Sequence, residues 1–155
     1  MLLNPSIAGA SLNIEQTEAY RCFGLGGIAV RVLLVDDDRI LRATVGRMLA
    51  RFHSVIYVDD LSDGDQALRC YRECGPYDIV LTDYAHPGLN GYLLAEAIRN
   101  DNPAQSIACM TGDIEIGKDL WQRLRIPTLA KPFETWQLDE LLEFAAMLVE
   151  HRRVA

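Results

Sequence analysis

The stretch VLLVDDDRI, residues 32–40, decides how the rest of the chain is read. Four apolar residues in a row, 32–35, suit a strand covered on both faces rather than one with a wet side. The run then ends in Asp36, Asp37 and Asp38. Adjacent carboxylates repel, and gathering them beside a core costs free energy unless a cation offsets them. A strand needs only one acid to end it, so three imply a task.

Beyond the acids, Leu41, Val45, Met48 and Phe52 recur at helical spacing, with Asp38 placed as the N-cap. The alternation continues along the chain. Strands are expected at SVIYV (54–58), YDIVLT (77–82), IACM (107–110) and TLA (128–130), and helices over 63–74, 91–100, 114–124 and 134–151. The last helix carries Leu138, Leu141, Leu142, Ala145 and Val149 on one stripe. Five strands alternating with five helices imply an α/β fold, a parallel sheet with helices on both faces joined by right-handed crossovers. A chain of 155 residues has room for one such domain. It is assigned to residues 30–151, followed by a short tail over 152–155 and preceded by an N-terminal extension, 1–29, whose order the pattern leaves open. The glycine-rich GLGGIA (24–29) precedes the first strand instead of following one, so it does not read as a dinucleotide loop.

Apolar residues make up 50% of the chain and charged residues 24%, an ordinary globular balance. The net charge of -7 argues against a nucleic-acid surface, which needs a basic patch. No segment approaches the roughly 20 apolar residues of a membrane span, and no secretory signal is evident, so neither nucleic acid nor membrane is expected as a partner. Cys22, Cys70, Cys74 and Cys109 form no disulfide framework. Cys70 and Cys74, four apart on a helix, read as core packing rather than metal ligands, and reduced thiols suit a cytoplasmic protein.

In open parallel sheets, ligands sit beyond the carboxyl ends of the strands. Strand one is followed there by Asp36 and Asp37, strand three by Asp83, strand four by Thr111 and strand five by Lys131. Asp59 and Asp60, at the end of strand two, read as solvent-facing. Carboxylates without His or thiolate suit a hard ion that keeps several waters, which points to Mg2+. A metal alone would repel Lys131. Metal and lysine belong together when both meet one anion, and a phosphoryl group is the natural choice, with Thr111 donating its hydroxyl to it.

VLLVDDD, DIVLTDYAHPGLNGY, IACMTGD and LAKPF, in this order and spacing, resemble the receiver domain of two-component response regulators over about residues 31–150. The resemblance implies a flavodoxin-like (βα)5 fold, doubly wound, with strand order 2-1-3-4-5. It implies that Asp83 is the phosphoacceptor, taking a phosphoryl group from a histidine kinase or histidine phosphotransfer protein. Asp36, Asp37 and Asp83, with the backbone carbonyl of Ala85, would hold Mg2+. Lys131 would contact the phosphate, its bond to Pro132 being cis, and Thr111 would swing toward it on activation. Such a chain is a switch rather than an enzyme, its own chemistry limited to phosphotransfer and hydrolysis of the aspartyl phosphate.

Some positions depart from the family pattern. Thr128 stands three residues before Lys131, where the family often carries an aromatic. His86, read as an exposed loop histidine, is expected to be inert, and Asp113 is expected to tune hydrolysis. No DNA-binding pattern is apparent, so the expected output is a downstream protein contact, by a free-standing receiver or a receiver fragment of a hybrid histidine kinase. Trp136 and Met147, opposite the core stripe of the last helix, mark a candidate face for that partner or for a homodimer. The rival reading is a haloacid-dehalogenase-type phosphatase with Asp36 and Asp38 as its DxD pair, but Ile40 stands where that family has Thr or Val.

Overall fold

The computed structural model describes the backbone of residues 30–52 and 55–154. The expectations for residues 1–29 and for Ser54, the side chain of Val149 and Ala155 of the tail lie outside the described residues. The strands are β1 (Val30–Val35), β2 (Val55–Leu61), β3 (Ile79–Asp83), β4 (Ser106–Thr111) and β5 (Thr128–Ala130). They alternate with α1 (Arg39–Leu49), α2 (Gly64–Cys74), α3 (Gly91–Asp101), α4 (Lys118–Leu124) and α5 (Thr135–Val154). All strand pairs are parallel, in the order β2-β1-β3-β4-β5, which is the expected flavodoxin-like topology.

Alternation along β1 explains its oily sequence. Val32 and Leu34 face one core with Val45 and Leu49 of α1 and Leu138, Leu142 and Ala145 of α5. Leu33 and Val35 face the other, with Ala67 of α2, Leu94 and Ile98 of α3 and Trp121 of α4. Every residue of β1 is buried, because helices cover both sides. Each fully buried Leu or Val there contributes about 1.5–3 kcal/mol relative to leaving it exposed.

Three helices begin on side-chain caps. Asp38 accepts from the amides of Ile40 and Leu41, Asp63 from those of Asp65 and Gln66, and Asn90 from that of Leu93. α4 starts later than the expected residue 114, since Gly117, at φ +71°, breaks the helical path just before it. β2 runs longer than expected, through Asp59 and Asp60 to Leu61, because ladder pairing with β1 continues to Val35 opposite Leu61. β1 likewise starts earlier, at Val30 and a buried Arg31 whose amide donates to Asp78 Oδ2 at 2.8 Å.

Candidate functional site

Register brings the strand ends together. Val35 lies opposite Thr82, Asp83 opposite Met110, and Thr111 opposite Ala130. Asp36, Asp83, Thr111 and Lys131 therefore leave the sheet along one edge.

Asp36 is 1% exposed, and its carboxylate is engaged on both oxygens. Oδ1 accepts from the Asp38 amide at 2.8 Å, and Oδ2 accepts from Lys131 Nζ at 2.6 Å. The same ammonium lies 3.1 Å from Asp83 Oδ1. Burial pulls the Lys131 pKa down, but the hydrogen bond to Asp36 and the charges of Asp36 and Asp83 outweigh it, so the amine is held above its ordinary value and stays protonated. The Lys131–Pro132 peptide bond is cis, as the resemblance implies.

One oxygen from each of Asp36, Asp37 and Asp83 lies within 4.8 Å of the others. Among the described residues one ammonium pairs with two of these three carboxylates, so the carboxylate cluster keeps an excess of negative charge. Oxygen-only donors at this spacing fit a hard divalent cation such as Mg2+. Ala85 lies exposed in the turn after β3, two residues beyond Asp83. Asp38 belongs to a different job: its carboxylate is turned to the first amides of α1.

Thr111 is buried at the edge of the cluster, and its hydroxyl is committed to the loop beyond it. Oγ1 donates to the Asp113 carbonyl at 3.0 Å and accepts from the Asp113 amide at 3.2 Å. The Asp113 carboxylate in turn accepts from the Glu115 amide at 2.9 Å.

Two expectations need correcting. His86 is not exposed: it is buried, with Nε2 3.0 Å from Thr82 Oγ1, and it presses so closely on α2 that a Cβ on Gly64 would lie 2.8 Å from its ring. The loop after β3 docks there, the Gly64 amide donating to the Pro87 carbonyl at 2.9 Å, and docking removes the histidine from solvent. Asp59 is half-buried and accepts from the Tyr77 hydroxyl, whereas Asp60 is exposed and lies 3.4 Å from Arg42 Nε. Cys70 and Cys74 do pack against the core on the α2–α4 side; burial pushes the Cys70 thiol up to about 11, and its sulfur lies 3.2 Å from the Tyr77 hydroxyl.

The sequence alone does not point to two side chains beside the cluster or to one on the outer face of α5. Arg42 Nη1 donates to the Asp36 carbonyl at 2.6 Å, and its place one turn after the cap Asp38 is the signal that could have found it. Tyr84, next to Asp83, meets Trp121 of α4 edge-on at 6.0 Å between ring centres and 81°. Nothing local to either residue announces that contact. On α5, Phe144 joins Trp136 and Met147 as an exposed large apolar residue.

The family model described as the response regulator receiver domain matches residues 32–143. The response regulator GacA of Pseudomonas viridiflava is 32% identical over 82 residues, 53% of this chain and 38% of that protein. The sensor histidine kinase AtsR of Burkholderia thailandensis is 39% identical over 70 residues, 45% of this chain and 11% of that protein. Across these curated relatives the chain spans less than two fifths of their length. Among solved structures, a response regulator receiver domain protein from Clostridium thermocellum superposes with a TM-score of 0.69 at 21% identity, over 78% of this chain and 97% of that one. The receiver domain of a sensor histidine kinase from Pseudomonas aeruginosa PAO1, with a magnesium ion coordinated in its active-site cleft, superposes with a TM-score of 0.68 at 26% identity, over 76% of this chain and 98% of that one.

Proposed function

The chain belongs to the response regulator receiver domain family, and from that premise we propose that it accepts a phosphoryl group from a phosphohistidine onto Asp83. The observation that carries this reading is the Lys131 ammonium set between Asp36 Oδ2 at 2.6 Å and Asp83 Oδ1 at 3.1 Å, with Asp37 alongside. Lys131 occupies Asp83 Oδ1, which leaves Oδ2 as the attacking oxygen. Its lone pair forms the new P–O bond as the P–N bond of the donor breaks, and the released pair returns to the imidazole, which takes up a proton. Lys131 then moves its positive charge from carboxylate to phosphoryl oxygen. Asp36, Asp37, Asp83 and the Ala85 carbonyl would hold Mg2+, which supplies the charge that offsets the incoming phosphoryl group.

Thr111 has the place of a reporter. When its hydroxyl turns toward the phosphoryl oxygens, both of its hydrogen bonds to Asp113 are given up, and the loop beyond is freed to move. The donor is a histidine kinase or histidine phosphotransfer protein, and the output is a protein contact. Similarity to both response regulators and sensor kinases supports either a separate receiver or one within a hybrid kinase. The phosphatase alternative is disfavoured by Asp38, whose carboxylate caps α1.

Acetyl phosphate with Mg2+ tests the assignment. One acid-labile phosphoryl group should appear on Asp83 and be absent from Asp83→Asn. Labelling of Asp36 instead, or no labelling at all, would overturn it.

A further inference from the structure

The sequence has no aromatic at residue 128, and Thr128 lies exposed on β5. An aromatic path does run out of the site elsewhere, between β3 and α4. Tyr84 follows Asp83 directly, and its carbonyl accepts from the Gly91 amide at 2.8 Å, where α3 begins. Gly91 is seated so tightly that a Cβ there would come 2.0 Å from the Asp83 carbonyl oxygen and 3.1 Å from Tyr84 Cα. The backbone at 83–84 thus has no slack on that side.

The Tyr84 ring reaches the start of α4. Besides its edge-on contact with Trp121, it closes on Gly117, where a Cβ would meet Tyr84 Cε2 and Trp121 Nε1, each at 3.2 Å. Gly117 is also where the Thr111 loop ends and α4 starts. Two arms from the site, Tyr84 and the 112–117 segment, therefore converge on one glycine. Trp121 is 1% exposed, yet its Nε1 has no hydrogen-bond partner among the described residues. Trp121 also meets Tyr92 of α3 edge-on at 6.1 Å and 71°, and lines a cavity of about 340 Å³ shared with Thr128, Ala130 and Gln137.

We propose that the Tyr84–Trp121 contact transmits the phosphorylation state of Asp83 to α4. This rests on Asp83 being the phosphoacceptor. Tyr84 acts as a positioning residue: as the 83–84 backbone and the Thr111 loop adjust, its ring slides on Trp121 and resets the first turn of α4.

Trp121 and Trp136 are the two tryptophans of the chain, so Trp136→Phe leaves Trp121 as the sole indole reporter. Beryllofluoride with Mg2+ mimics the phosphoryl group, and 19F NMR of the bound fluorides reports the adduct independently of fluorescence. In the Trp136→Phe protein, adduct formation should change Trp121 emission. Adding Tyr84→Leu should abolish that change while the adduct still forms, and Tyr84→Phe, which keeps the ring, should preserve it. A Trp121 response that survives Tyr84→Leu, or silence in the Trp136→Phe protein despite a formed adduct, would overturn the proposal. Failure of the adduct itself in the Trp136→Phe protein would instead sink the phosphoacceptor reading, and the transmission with it. If Tyr84→Leu does not fold, Tyr84→Met is judged by the same outcomes.

Discussion

Charged residues are buried at both ends of the sheet, and the two ends treat them differently. At the amino end, Arg31 and Asp78 close a reciprocal pair: the Arg31 amide donates to Asp78 Oδ2 at 2.8 Å, and the Asp78 amide donates to the Arg31 carbonyl at 2.9 Å. The Arg31 guanidinium reaches the Cys74 carbonyl at 2.9 Å and lies over the Tyr77 ring. At the carboxyl end, three carboxylates cluster and one lysine pairs with two of them, Asp36 and Asp83. The first arrangement holds one cationic and one anionic side chain. The second is left short of positive charge, which suits a divalent cation. Residue type does not separate the two; charge balance does.

The largest break in that comparison should come at Asp83. If Asp83 is the phosphoacceptor, as proposed, phosphotransfer measured with a radiolabelled donor should fall to background in Asp83→Asn. Asp78→Asn at the other end should leave transfer intact. Next comes magnesium itself: at about 100 times its Kd it should stabilise the folded chain by about 2.7 kcal/mol in thermal melts, and Asp83→Asn should lose most of that gain. Asp78→Ala leaves the buried Arg31 amide without its acceptor and should cost about 1–3 kcal/mol in denaturant unfolding, without altering the response to magnesium. Asp38→Ala should cost about 1 kcal/mol as a lost cap, and if it also abolished phosphotransfer, the division of labour among the three acids would be wrong.

A further effect concerns pH. Burial pushes Cys70 up to about 11 and Cys109 up to about 12, and it also raises Tyr77 well above the usual tyrosine range. These groups hold their protons more tightly when folded than when unfolded. Their contribution is therefore complete below their ordinary pKa values and is lost as pH rises through the raised ones. Melting temperature should decline from about pH 9 upward, and a flat profile to pH 12 would contradict the burial of these groups.

Much of this was legible in the residues. β1, β3 and β4 are readable because burial on both faces demands continuous apolar runs, and α1 is readable because Asp38 announces its start. The candidate site residues are readable because each lies within two residues of a strand end. What escapes the sequence depends on distant partners. Asp59 and Asp60 read as solvent-facing acids at the end of strand two, but they continue the strand because β1 supplies the ladder, and Asp59 is half-buried. His86 reads as exposed, but it is covered because Gly64 lets the loop settle on α2. The Tyr84–Trp121 contact joins residues 37 positions apart, and no local pattern encodes it.

The margins of the sheet carry a last consequence. On one side β5 offers only three residues, and on the other β2 ends in Asp59, Asp60 and Leu61. A stubby border and an acid-tipped one both discourage another chain from adding a strand. A protein partner would then be expected to grip helices and loops rather than add a strand to the sheet.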